Sequence, residues 1–256
     1  MANGLTLTVL GTGTPYPRPG QACSGYLIAG PATTICADVG PGTFAELQRH
    51  LDLQRLDAIW ISHMHPDHAG DLPAVANWLL NAPVRHTPLP IYGPAGWLGR
   101  LSAFLPSDPA LLAERIQVHE LADGCTAEVG ALTLTSRAVQ HSVPTFGLRV
   151  TFGRHILAYS GDSGPCDALT ELAYLADIFL CESGASENAP GGPDNHCTPE
   201  HAGSTAQQAG AKRLLLTHLN PILDARIART RASAIHADTE VALPGSVHHV
   251  DDDYEP

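Results

Sequence analysis

Lysine is almost absent: Lys212 is the only one in 256 residues. Acids outnumber bases 26 to 14, giving a formal net charge of −12 at pH 7. A protein that grips nucleic acid by releasing counterions needs clustered positive charge, and this chain has no such cluster. Long apolar runs are missing too, so no membrane-spanning helix is expected. The six cysteines (Cys23, Cys36, Cys125, Cys166, Cys181, Cys197) form no Cys-X-X-Cys pair. That argues against a disulfide framework and against a thiolate metal site. Met1 to Gly11 has neither a basic start nor a leader's apolar core. No signal peptide is expected, and a reducing cytoplasm is the default compartment. The glycine turn Gly11 to Pro15 lacks a following Gly-Lys-Ser/Thr, so it reads as a turn and not as a phosphate loop.

What remains suits a single domain over residues 1–249, followed by a solvated acidic tail over 250–256. The hydrophobic content of 44% is enough for a large core. Leu5 to Leu10 alternates as a half-buried strand, and residues 24–29 and 33–38 read as a hairpin around Gly30-Pro31. Thr43 is placed to cap a helix running to His50, Leu56 to Ser62 reads as a buried strand, and residues 72–81 read as a helix before a Pro-rich connection. The second half repeats the pattern. Strands are expected at Leu132–Val139, Gly147–Phe152, His155–Ser160, Asp177–Cys181 and Arg213–Thr217, with Gly153-Arg154 as a tight turn. Thr198-Pro199-Glu200 starts a helix that Gly210 stops, and Asp224 to His236 reads as another. The fold class is therefore α/β, with two sheets flanked by helices.

Histidine, by contrast, is plentiful at 14. His63-Met-His-Pro-Asp-His68 sets four ligand-type side chains in six positions at the end of an apolar strand. On such a strand-to-loop junction His63 and His65 can share one metal, while Asp67 and His68 turn to a second. Zinc, manganese and iron all accept these donors. Gly70 lets the chain bend away at once. A metal pair needs more than four ligands, and three isolated residues occupy comparable strand ends. They are His141 after Val139, Asp162 in Tyr159-Ser-Gly-Asp-Ser163, and His218 in Leu214-Leu-Leu-Thr-His218. Each alone is an ordinary polar residue; together, in the setting of the cluster, they are specific. His50, His86, His119, His155, His201, His236, His248 and His249 have no such setting and read as ordinary surface or core residues.

With these residues the chain resembles the metallo-β-lactamase superfamily, in its ribonuclease Z and small-molecule phosphodiesterase branch. The matching features are Thr12-Gly13-Thr14-Pro15, Asp38-Val-Gly-Pro-Gly-Thr43, the 63–68 cluster, His141, Gly161-Asp162 and Thr217-His218. The resemblance implies an αββα four-layer sandwich and a dinuclear hydrolase. It implies that His63, His65 and His141 bind the first metal, that Asp67, His68 and His218 bind the second, and that Asp162 bridges them. Asp38 would orient a ligand histidine. A hydroxide between two divalent ions, zinc before manganese or iron, would be the nucleophile. His196, in His196-Cys-Thr-Pro-Glu200, is similar to the histidine that works with the cluster's Asp, here Asp67, on the leaving group in the phosphodiesterase branch. Glu182, in Leu180-Cys-Glu-Ser183, matches a family glutamate by context, with a supporting role as open as proton transfer.

The departures bear on the substrate. His141 and Asp162 are 21 positions apart, too close for the tRNA-gripping arm of true tRNA-processing relatives. Cys23 stands alone where some compact relatives carry a cysteine zinc site, and Pro41 replaces a frequent glutamate. The leading expectation is hydrolysis of a small, including cyclic, phosphodiester, without tRNA or membrane as a partner. A lactone, thioester or other carboxylic ester is the alternative, and a metal-binding protein without hydrolysis is a third. The resemblance also implies a homodimer, with the apolar segment Val75 to Leu80 as a candidate contact that is equally readable as core.

Overall fold

The strands are apolar on both faces, and the two faces meet different partners. In the computed structural model, which describes residues 4–81, 87–105, 109–185 and 195–250, Tyr26, Ile28, Ile35, Ala58 and Trp60 point one way. Leu27, Cys36, Ile59 and Ile61 point the other. Side chains alternate along a strand, so a strand sandwiched between two layers has to be apolar at every position. The first set packs against Leu134, Leu148, Val150, Leu157, Ile178 and Leu215 of a second sheet, and the second set packs against helices.

The first half comprises β1 (Leu5–Gly11), β2 (Gly25–Gly30), β3 (Thr33–Ala37), α1 (Thr43–His50), β4 (Ala58–Trp60), α2 (Pro66–Ala69), α3 (Leu72–Asn81), β5 (Leu89–Pro94), α4 (Trp97–Phe104), α5 (Pro109–Ala113) and β6 (Ile116–Leu121). The second comprises β7 (Thr126–Val129), β8 (Leu132–Ala138), β9 (Phe146–Phe152), β10 (His155–Tyr159), α6 (Asp167–Ala173), β11 (Ile178–Glu182), α7 (Pro199–Ala209), β12 (Arg213–Thr217), α8 (Ala225–Ser233), β13 (Thr239–Val241) and β14 (Val247–Val250). The sheet orders are β14-β1-β2-β3-β4-β5-β6 and β13-β12-β11-β10-β9-β8-β7. The helices of the first half cover the first sheet, and α6, α7 and α8 cover the second. The result is the four-layer αββα sandwich. No helix among the described residues is long and apolar enough to cross a membrane.

The predicted strands and helices are present, with local corrections. Thr43 is the first residue of α1 and not its cap: its hydroxyl donates to the Gly40 carbonyl at 2.7 Å. The helix start is served instead by Asp71, whose Oδ2 accepts from Gly42 N and Phe44 N, each at 2.9 Å. The strand expected over Leu56–Ser62 pairs only over Ala58–Trp60, because the chain then turns into the histidine cluster. Val250 belongs to β14, buried and paired with Leu5, so the tail cannot start there. Residues 251–256, His86 and the start of the Pro-rich connection (82–86) lie outside the described residues. In the Val75–Leu80 segment, Val75, Ala76 and Leu79 pack into the core, leaving Trp78 and Leu80 partly covered.

The inter-sheet core is where stability concentrates. Leu157 is fully buried between the sheets. Leu157→Ala is expected to cost about 2–5 kcal/mol, from lost burial plus an uncollapsed cavity. Chemical denaturation checks this, and a loss below about 1 kcal/mol would mean that the sheets close over the gap.

Candidate metal centre

The strands β3 and β4 run parallel, as do β10, β11 and β12, so their C-terminal ends gather at one edge of the sandwich. The candidate residues all hang from this edge. Asp38 follows β3, His63 follows β4, Asp162 follows β10, Glu182 ends β11 and His218 follows β12. Asp38 and His218 adopt left-handed backbone conformations, with φ of 60° and 50°. That geometry costs a non-glycine residue about 1–3 kcal/mol and is held only where the surroundings enforce it.

Hydrogen bonds fix which ring nitrogens carry lone pairs. Ser62 Oγ donates to Asp38 Oδ2 at 2.8 Å, so it accepts from His63 Nδ1 at 3.0 Å. His141 Nδ1 lies 2.9 Å from the Asn195 carbonyl, which can only accept. In both rings Nε2 is therefore bare, and the two bare nitrogens converge on His65 Nδ1, at 3.1 and 3.2 Å. One N–H cannot serve two lone pairs well, whereas a cation among the three serves all of them. Burial pushes His63, His65 and His141 below the usual imidazole range, which keeps them neutral and fit to ligate.

The neighbouring group makes the same case. His68 Nδ1 donates to Asp38 Oδ2 at 2.7 Å, which leaves Nε2 3.1 Å from Asp162 Oδ1. Both of these atoms are buried without a hydrogen-bond partner. A lone pair facing a carboxylate oxygen is repulsive unless a proton or a cation lies between them. Burial opposes charge on His68, but Asp162 and Asp38 outweigh it and hold the ring well above its usual range. A metal ion would displace that proton.

Asp162 stands between the groups. Its Oδ2 is 3.6 Å from His63 Nε2, 3.9 Å from His141 Nε2 and 3.4 Å from His218 Nε2. Asp67 Oδ2 lies 3.2 Å from His218 Nε2 and 3.8 Å from His68 Nε2. Ligand atoms of His63, His65, His141 and Asp162 fall within 4.8 Å of one another, as do those of Asp67, His68 and His218. The residues present thus fit a divalent metal centre, and all seven sequence-predicted ligands come together.

His196 and Glu182 form a pair beside it. Glu182 is fully buried and accepts from Ser163 N at 2.9 Å, Gly184 N at 2.6 Å and His196 Nδ1 at 2.8 Å. It thus touches both His196 and the backbone next to Asp162, a placement that suits a positioning role. The His196 ring stacks on His218 with centroids 5.6 Å apart. Burial opposes its protonation, but Glu182 wins and pushes His196 up to about 9. Bound cations would act the other way. Gly184 makes the stack possible: a Cβ there would sit 3.1 Å from Nδ1 of both His196 and His218.

Three supporting contacts had no part in the sequence reading. Thr14 Oγ1 donates to Asp67 Oδ2 at 3.1 Å. Tyr159 OH donates to Asp38 Oδ2 at 2.7 Å. Tyr26 OH and Thr217 Oγ1 share a 2.7 Å hydrogen bond next to His218. Thr14 and Thr217 had a signal, since both lie in segments that carry the family resemblance. The tyrosines had none, being indistinguishable from core aromatics.

A His/Asp cluster at the strand ends of an αββα sandwich marks a class of protein, those able to hold metal ions at the sheet edge. The description "Beta-lactamase superfamily domain" matches residues 33–219. An uncharacterized protein of Mycobacterium tuberculosis is 36% identical over 250 residues, spanning 95% of this chain and 89% of that one. A ribonuclease Z from Mycobacterium bovis is 29% identical over 247 residues, covering 86% and 87% of the two chains. The crystal structure of the metallo-β-lactamase fold protein YhfI from Bacillus subtilis matches with a TM-score of 0.85 at 25% identity, over 95% of this chain and 99% of that one. The chain belongs to the metallo-β-lactamase superfamily of metallo-hydrolases.

Proposed function

We propose that the protein is a dinuclear metal phosphodiesterase acting on small, including cyclic, phosphodiesters. His63, His65 and His141 hold one divalent ion, Asp67, His68 and His218 hold the other, and Asp162 lies between. Zinc suits this donor set best, and manganese and iron fit it too. When bound, such an ion pair lowers the pKa of the attacking water and neutralises charge on the attacked group. The chain's own residues do the rest. Ser62, Asp38 and the Asn195 carbonyl fix the ring tautomers, and Thr14 orients Asp67.

The observation that carries the phosphodiester reading is the Glu182–His196 pair. Glu182 holds Nδ1, the ring stacks on His218, and Nε2 is left to meet a substrate. An imidazole held through Nδ1 by a buried carboxylate is suited to act through its other nitrogen as a general acid for a departing alkoxide. The test is turnover of a chromogenic phosphodiester against a chromogenic carboxylic ester, lactone and thioester. Preference for the diester supports the reading, and rapid cleavage of only the carboxylic substrates moves the function to them with the metal centre unchanged.

Substrate size follows from charge and topology. The 21 positions from His141 to Asp162 are filled by β9, a turn and β10, with no arm between them. With a net charge of −12, the chain offers little for a polyanion to grip. Precursor tRNA should be cleaved poorly at every salt concentration at which a small diester turns over. Fast tRNA cleavage that falls steeply with salt would contradict this.

A further inference from the structure

The two sheets each supply part of the metal centre. His63, His65, Asp67 and His68 follow β4 of the first sheet, and His141, Asp162 and His218 follow strands of the second. Something has to set the distance between the halves, because a ligand set split across two layers is only as exact as the gap between them. Tyr159 ends β10 of the second sheet and reaches across to Asp38 of the first, at 2.7 Å. Tyr26, on β2 of the first sheet, reaches the opposite way to Thr217 of the second, also at 2.7 Å. The two rings touch where they cross, with centroids 4.9 Å apart. Both side chains are buried, at 0% and 1% exposure, so water does not compete for either hydroxyl.

We infer that Tyr26 and Tyr159 act as a crossed clamp that sets the spacing between the two halves of the metal centre, so that both are positioning residues for metal affinity. The clamp rests on the metal-centre reading above, but on no particular substrate. Each arm ends one step from a ligand. Asp38 Oδ2, which receives Tyr159, also receives His68 Nδ1 at 2.7 Å. Thr217, which meets Tyr26, is the residue before His218, whose backbone is held at φ 50°. Packing alone would be served equally well by phenylalanine at both positions. The hydroxyls add direction, because each bond has one length and joins one sheet to the other.

The test is metal affinity, measured by chelator competition with zinc and manganese, on the wild type and on Tyr159→Phe, Tyr26→Phe and Ile28→Val. Tyr159→Phe leaves Asp38 with Ser62 N, Ser62 Oγ and His68 Nδ1 as donors, so the carboxylate stays satisfied and the fold is expected to survive. Removing a partner behind a metal ligand typically weakens metal binding roughly 10–100-fold, and that loss is expected for Tyr159→Phe. A smaller loss is expected for Tyr26→Phe, which acts through the backbone of Thr217. Ile28→Val trims the same inter-sheet core without touching either hydroxyl, and its metal affinity should equal that of the wild type. Unchanged affinity in both tyrosine variants would overturn the clamp, as would an equal loss in Ile28→Val. No substrate enters this measurement. Wild-type metal content checks the metal centre itself, so failure of the clamp and failure of the proposed function remain distinguishable.

Discussion

His63→Ala is expected to lower kcat/KM by at least ~10³-fold and to reduce bound metal. The charge stabilisation an ion supplies amounts to several kcal/mol, and each 1.36 kcal/mol is tenfold in rate. His63 is wholly buried, held by Ser62 on one nitrogen and aimed at His65 and Asp162 with the other. Alanine there removes a ligand and leaves Asp162 with one fewer partner. Metal analysis and steady-state kinetics on the same preparation check the expectation. Normal activity at normal metal content would remove His63 from the centre.

His196→Ala is expected to behave differently. On the proposed reading, in which the side chain donates a proton and is not a metal ligand, it should cut kcat by roughly 10²–10⁴-fold while both metals stay bound. Loss of a metal would instead make His196 a ligand, since its ring nitrogen lies within 4.8 Å of ligand atoms of Asp162 and His218. The loss should shrink for a nitrophenolate leaving group, which departs without a proton, and should be full for an alkyl alkoxide. Glu182→Gln should show the same dependence on leaving group with a smaller loss, since Glu182 acts through the 2.8 Å bond to His196 Nδ1. Comparing two substrates that differ only in leaving group decides the matter. Equal losses on both would make His196 a binding or structural residue.

The residues that gather at the candidate metal centre were legible in the sequence for a physical reason. Four donors within six residues after an apolar strand have few other uses, and the isolated His141, Asp162 and His218 share that strand-end setting. The stretch from Leu89 to Leu121, holding β5, α4, α5 and β6, was not legible. Strand β6 is buried only at Ile116 and Leu121, and its alternation is broken between them. Strand β14 went unread because its pairing with β1 joins residues more than two hundred positions apart, a contact that local pattern cannot encode. The supporting hydroxyls were hidden for the same reason. Nothing near Tyr159 in sequence points to Asp38, 121 positions away, and only the packing of one sheet on the other brings them together. Glu182 was visible as a candidate, but its role needed the geometry, because a carboxylate at a strand end reads alike whether it faces the metals or the histidine beside them.

The proposed function is that a metal pair held at these strand ends drives hydrolysis of a small phosphodiester. The most direct measurement strips the protein of metal with a chelator and titrates zinc or manganese back while following turnover of a small phosphodiester. The account predicts no turnover in the stripped protein, and recovery that tracks metal content and levels off at two ions per chain. Full turnover in protein shown to be metal-free would contradict it, and so would two bound ions with no turnover of any phosphodiester.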